Sequence, residues 1–137
     1  MLTEQQKIID GIYAFLNASI GSENPSGQMA SVYEIQAPQD TELPICIFNI
    51  ITDTVESGMN CDVSEIDLQI DFYGNRKDGS KKLRTIADTL FNDFNRNNLT
   101  IDDSSVSNKV NGVVKGLLTS EDTDIFRIKQ EYIIRVQ

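Results

Sequence analysis

The chain has 137 residues, the size of one domain and too short for two cores of ordinary volume, and its 39% apolar and 24% charged residues are a globular balance. Twelve Lys and Arg stand against 21 Asp and Glu, a net charge of −9 with no histidine. That charge repels phosphate backbones and argues against nucleic-acid gripping, and the missing histidine removes the usual base of Ser and Cys nucleophile sites and the usual zinc ligand.

Cys46 lies in an apolar run and Cys61 in a polar stretch, without metal-ligand spacing, so both are expected reduced, which fits a cytoplasmic origin. The polar start Met1 to Lys7 does not read as a secretory signal, and no apolar run reaches the roughly 18 residues of a membrane span.

The first element is a helix. Thr3 can cap it, Gln6 stands three residues on, and Ile8, Ile9, Ile12, Leu16 and Ile20 follow at helical spacing, one apolar stripe along about five turns. Gly21 to Gln28 has loop composition. Val32 to Ile35 is a short strand candidate, a polar turn bounded by Pro38 and Pro44 follows, and the β-branched run Ile45 to Thr52 reads as a strand. Thr54 to Ser64 is polar and is expected to be an exposed loop. Ile66, Leu68, Ile70 and Phe72 alternate with Asp67, Gln69, Asp71 and Tyr73, a strand with one wet face.

After the turn Gly74 to Gly79, Leu83, Ile86, Ala87, Leu90, Phe91 and Phe94 define a second helix from about Ser80 to Asn95. Two strands close the chain, Val110 to Thr119 and Ile125 to Val136, joined by the acidic hairpin Ser120 to Asp124. In the last strand Phe126, Ile128, Gln130, Tyr132, Ile134 and Val136 share one face. The order α-β-β-β-α-β-β, with no linker or repeat, predicts a single α+β domain over residues 1–137. Its expected core is an antiparallel sheet of four to five strands with both helices on one face.

Little in the chain suggests catalysis. Gly74-x-x-x-x-Gly79-Ser80-Lys81 lies between strand and helix as a phosphate loop would, but such a loop needs Gly-Lys followed by Ser or Thr; a glycine-bounded turn with Ser80 as the helix cap is the simpler reading. Asp67 with Asp71, and Asp102 with Asp103, are carboxylate pairs that surface solvation explains. Glu121, Asp122 and Asp124 read as a solvated turn, since the hairpin lacks the glycine and distal glutamate of a calcium loop. The basic cluster Arg76, Lys77, Lys81, Lys82 and Arg84 admits two readings, a solvated helix start or a docking patch for an acidic partner.

In order and pattern the chain resembles the tail terminator (tail completion) family of long-tailed bacteriophages. The features that carry the resemblance are the N-terminal amphipathic helix, Leu43-Pro44 leading into Ile45 to Thr52, and the alternating strand Ile66 to Tyr73. The turn and helix Gly74 to Asn95 and the closing strands through Phe126-Arg127-Ile128 and Ile134-Arg135-Val136 complete it. The resemblance implies a structural virion protein without enzymatic activity or cofactor, found at the tail or neck after assembly in the host cytoplasm. It implies that copies form a hexameric ring that caps the tail tube, fixes tail length and meets the head connector, while DNA passes through without specific binding. Another neck or head-completion protein, or a monomeric protein-binding regulatory module, is the alternative. Loops at sheet ends are the expected contact surfaces: Glu56, Asn60 and Asp62 in the polar stretch, Arg76, Lys77 and Lys81 in the basic turn, and Glu121, Asp122 and Asp124 in the hairpin. An acidic hairpin of one subunit against the basic turn of the next would make assembly sensitive to salt.

Overall fold

The computed structural model describes residues 4–57, 62–101, 108–120 and 124–136, with side chains described over 6–52, 65–101, 108–120 and 124–136. The elements in chain order are α1 (Glu4–Ser19), β1 (Ser31–Glu34), β2 (Ile45–Ser57), β3 (Asp62–Asn75), a 3-10 turn (Arg76–Asp78), α2 (Ser80–Phe94), β4 (Asn98–Leu99), β5 (Asn108–Val114), β6 (Leu118–Ser120) and β7 (Ile125–Val136). One sheet runs β1-β2-β3-β7-β5-β4, with β6 also on β7.

The α+β layering is as expected, and the sheet detail differs in two ways. The sheet has seven strands and is mixed, because β1 lies parallel to β2 while every other pair is antiparallel. Parallel pairing follows from the connection: residues 35–44 carry the chain back along the sheet before β2 begins, so β1 and β2 run the same way. The expected strand Val110 to Thr119 is broken into β5 and β6, both on the same edge of β7, with Lys115 to Leu117 forming a kink at Gly116, whose φ is +96°. A Cβ at Gly116 would sit 2.2 Å from the Lys129 carbonyl oxygen, so the kink needs glycine both for its φ and for its closeness to β7.

The expected loop over Thr54 to Ser64 is also corrected. β2 continues to Ser57 and β3 starts at Asp62, paired from Thr54↔Glu65 to Ser57↔Asp62, so only residues 58–61 separate the strands. Polarity misled here because a paired strand need not alternate apolar and polar residues unless one of its faces is dry.

Both helices cover one face. Ile8, Ile12, Leu16 and Ile20 of the first stripe and Leu83, Ile86, Ala87, Leu90 and Phe94 of the second are buried against Cys46, Phe48, Ile66, Leu68, Ile70, Phe72, Ile128, Tyr132 and Ile134 of the sheet. Phe94 lies at the centre, its ring 4.7 Å from Phe15 and 4.9 Å from Tyr132. Fully burying each such side chain contributes about 1.5–3 kcal/mol. The period-2 pattern of β7 places Gln130 on this face too. Its Nε2 donates to the Ala87 carbonyl at 3.0 Å and its Oε1 accepts the Tyr132 hydroxyl at 2.6 Å, which satisfies all three buried groups. Burial raises the Cys46 thiol well above its ordinary 9.0, helped by the Asp71 charge, and raises the Tyr132 hydroxyl above its ordinary 10.0, helped by Cys46.

Candidate functional site

The helices leave the other face of the sheet and its two lateral edges uncovered, and a hollow of about 860 Å³ lies between Met29 to Ser31, Leu43-Pro44 and the start of α2 at Lys81 and Lys82. On the outer face the seam between β3 and β7 is fixed by Asp71, whose Oδ1 accepts hydrogen bonds from Nε and Nη2 of Arg127 at 3.0 and 2.8 Å. The pair is largely covered, and the guanidinium also lies 5.9 Å from the Tyr73 ring. Beside it Lys129 meets Glu131 at 3.2 Å, and Thr52 donates to Oδ2 of Asp67 at 2.7 Å.

Beside these polar groups the outer face also carries exposed apolar side chains. Irregular register at Ile50/Thr52 and at Gly112/Val114 turns Ile51 and Val113 toward solvent, 52% and 57% exposed, and with Asp67, Glu131 and Ile133 they frame a hollow of about 200 Å³. The second irregularity has a clear cause. Phe91 of α2 sits so close that a Cβ at Gly112 would be 2.6 Å from its ring, and the Gly112 N–H donates to Oδ1 of Asn95 instead of completing the ladder. Nearer the edge, a groove of about 850 Å³ runs over Val114, the kink and Arg127 to Glu131, and Leu117 projects from the kink 86% exposed.

Charge is divided across this sheet. Between Lys7 and Arg76 the sequence contains no Lys or Arg and eleven Asp and Glu. In the fold this means that β1, β2 and β3 carry seven acids and no cation, whereas β5, β6 and β7 carry Lys109, Arg127, Lys129 and Arg135 against Glu131. Lys115 in the kink adds to the basic side, 3.8 Å from Asp88 of α2.

The residues expected at contact surfaces fall in different places. Arg76, Lys77 and Lys81 are exposed around the turn after β3. The Arg76 guanidinium, however, lies 4.6 Å from the Phe126 ring and donates to the Ser120 hydroxyl, while its backbone N–H donates to the Asp124 carbonyl at 2.8 Å. The basic turn and the acidic hairpin are therefore neighbours within one subunit. Glu56 and Asp62 sit in the β2–β3 extension at backbone level, and Asn60, Glu121 and Asp122 lie outside the described residues, as do Cys61 and Thr3. Ser80 is not the cap expected of it: Gly79 with φ +82° occupies the N-cap without a side-chain bond, and the Ser80 hydroxyl accepts from Arg84 at 3.1 Å. Gly74, the other glycine of that turn, is closed off by Leu83, whose side chain would lie 3.1 Å from an added Cβ.

Sequence reasoning missed the exposed apolar residues Ile35, Ile51, Val113 and Leu117, since single apolar positions beside turns read as core. The absence of cations over residues 8–75 was visible in the sequence and becomes informative once strand order groups those residues on one half of a sheet.

The sheet is thus covered by helices on one side, while its other side carries exposed charged and apolar side chains. Residues 11–137 match the family model described as Tail completion protein gp17, and the chain belongs to that family of phage tail structural proteins. Among solved structures, a chain of the virion of a native gene transfer agent particle is similar over 97% of this chain and 93% of its own, with a TM-score of 0.61 and 16% identity, a likeness of fold. No curated protein sequence matches the chain.

Proposed function

We propose that this protein is a tail terminator subunit that acts by assembly and not by turnover. Copies join side by side into a closed ring, with six as the expected number. The ring sits on the end of the tail tube, stops its growth and presents its other end to the head connector. The protein is then a virion component of the tail or neck, assembled in the host cytoplasm.

The observation that carries this reading is the family match over residues 11–137. The uneven charge of the strands supports it, because a ring needs two different patches on each subunit that fit one another, and cation-free strands β1–β3 beside cation-bearing β5 and β7 offer surfaces of unlike charge. The acidic balance suits a passage for DNA, since carboxylates repel the duplex rather than hold it.

The test is tube growth. Purified tail tube protein from the same particle is allowed to polymerise with and without this protein, and tube lengths are measured by electron microscopy. Addition is expected to arrest growth with a cap of extra density at one tube end. Tubes that grow to the same lengths, uncapped, would refute the terminator role.

A further inference from the structure

The two lateral edges of the sheet are matched in height and carry exposed charges of opposite sign, Glu34 on one and Lys115, 3.8 Å from Asp88, on the other. Glu34, the last residue of β1, pairs with Phe48, Phe48 with Ile70, and Ile70 with Gln130, one straight row across four strands. The row ends at the kink, because β5 leaves β7 at Val114↔Glu131 and β6 joins it at Leu118↔Ile128. Each end of the row carries an exposed charge beside an exposed large apolar side chain: Glu34 with Ile35, 64% exposed, at one end, and Lys115 with Leu117, 86% exposed, at the other.

Ile35 is held in place by the backbone. Its φ is +67°, a value β-branched residues rarely adopt, and the turn is closed by the Gln36 N–H donating to the Glu34 carbonyl at 2.7 Å while the Ile35 N–H donates to Phe48 at 2.9 Å. The turn ends β1 and leaves the side chain outside the core. Lys129, which meets Glu131 at 3.2 Å, lines the same groove as Lys115 and Leu117 at the other end.

We infer that the Glu34–Ile35 edge of one copy docks against the Lys115–Leu117 kink of a second copy of this chain. The inference rests on the self-assembly reading above and names the surfaces it uses. Like edges meeting would bring acid to acid or base to base, so unlike edges are favoured. Because the two patches lie at opposite ends of one row, a neighbour placed beside the sheet at the same height brings them together, and each copy keeps one free patch of each kind. That geometry extends head to tail and can close into a ring.

The experiment uses two full-length variants, Ile35→Lys and Leu117→Asp, each placing a charge of the opposite sign on one edge at an exposed apolar position. Circular dichroism and thermal melting establish that both fold like the wild type. Mass is then read by sedimentation. Wild type is expected to assemble, each variant alone to weaken self-association by about 30-fold or more, and an equimolar mixture to form a 1:1 dimer through the one intact pair of edges. If wild type assembles and either variant alone assembles equally well, the edges are not the interface and the self-assembly reading stands without them. If neither variant assembles and the mixture forms no dimer, head-to-tail docking of these edges is overturned. A wild type monomeric at every concentration overturns the self-assembly reading, and this inference with it.

Discussion

The two faces of one sheet obey different rules. On the helix face Ile66, Leu68, Ile70 and Phe72 of β3 and Ile128, Gln130, Tyr132 and Ile134 of β7 are buried, Gln130 is hydrogen-bonded through both its amide nitrogen and its oxygen, and aromatic rings interlock. On the outer face the same strands carry acids and bases, among them the well-covered Asp71–Arg127 ion pair, with Ile51 of β2 and Val113 of β5 exposed beside them. The helix face holds the stability of the fold. The outer face is free to vary in chemistry at small cost to folding, which is the condition a contact surface needs.

Substitutions should separate the faces by size of effect. Phe94→Ala, at the meeting point of Phe15 and Tyr132, is expected to lose about 3–5 kcal/mol of stability in urea denaturation, the cost of a large cavity in a closed core. Gln130→Leu removes the partners of the Ala87 carbonyl and the Tyr132 hydroxyl while keeping volume, and should cost about 2 kcal/mol by the same measurement.

Alkali offers a test that needs no mutation. In the folded protein burial keeps the Cys46 thiol protonated above its ordinary 9.0, while the unfolded chain releases that proton. The unfolded state therefore binds fewer protons, and stability, unaffected by this group below about pH 9, should fall by about 1.4 kcal/mol per pH unit above it. Tyr132 adds a second equal slope above its ordinary 10.0. Denaturation midpoints measured from pH 8 to 11 read this directly, and Cys46→Ala should remove the part that begins near 9.

On the outer face the effects shrink. Arg127→Ala breaks the pair with Asp71 and should cost about 1 kcal/mol, the upper range for ion pairs near the surface, because both groups keep some solvent. A loss as large as that of Phe94→Ala would mean that the outer face also holds the fold together, and the division of labour between the faces would fail.

The helix face was legible in the sequence because burial imposes a period. The stripe Ile8, Ile12, Leu16, Ile20, the helix Ser80 to Phe94 and the alternation of β3 and β7 all follow from one side being dry. Elements whose sequence carries no such period were read less well. The β2–β3 extension looked like a loop, and the β5–β6 edge looked like one strand because nothing local announces that Gly116 must pass 2.2 Å, measured from a notional Cβ, from a carbonyl on β7. The parallel placement of β1 depends on how residues 35–44 return, which composition does not encode.

The surroundings of the candidate contact residues were legible only in part. Charge clusters along the chain singled out Arg76 and Asp124, and the fold adds that the Arg76 N–H donates to the Asp124 carbonyl within the chain. The broader feature, a long stretch without cations, acquires meaning only from strand order, which groups it on one half of the sheet.

Self-association is the central claim, and the mass of the purified protein tests it most directly. Light scattering coupled to gel filtration, across concentration and salt, should show a mass rising from one chain of 15.3 kDa to a closed multiple of it. High salt should push that mass back down, since unlike charges draw the copies together. A mass of one chain at every concentration and every salt would contradict the account.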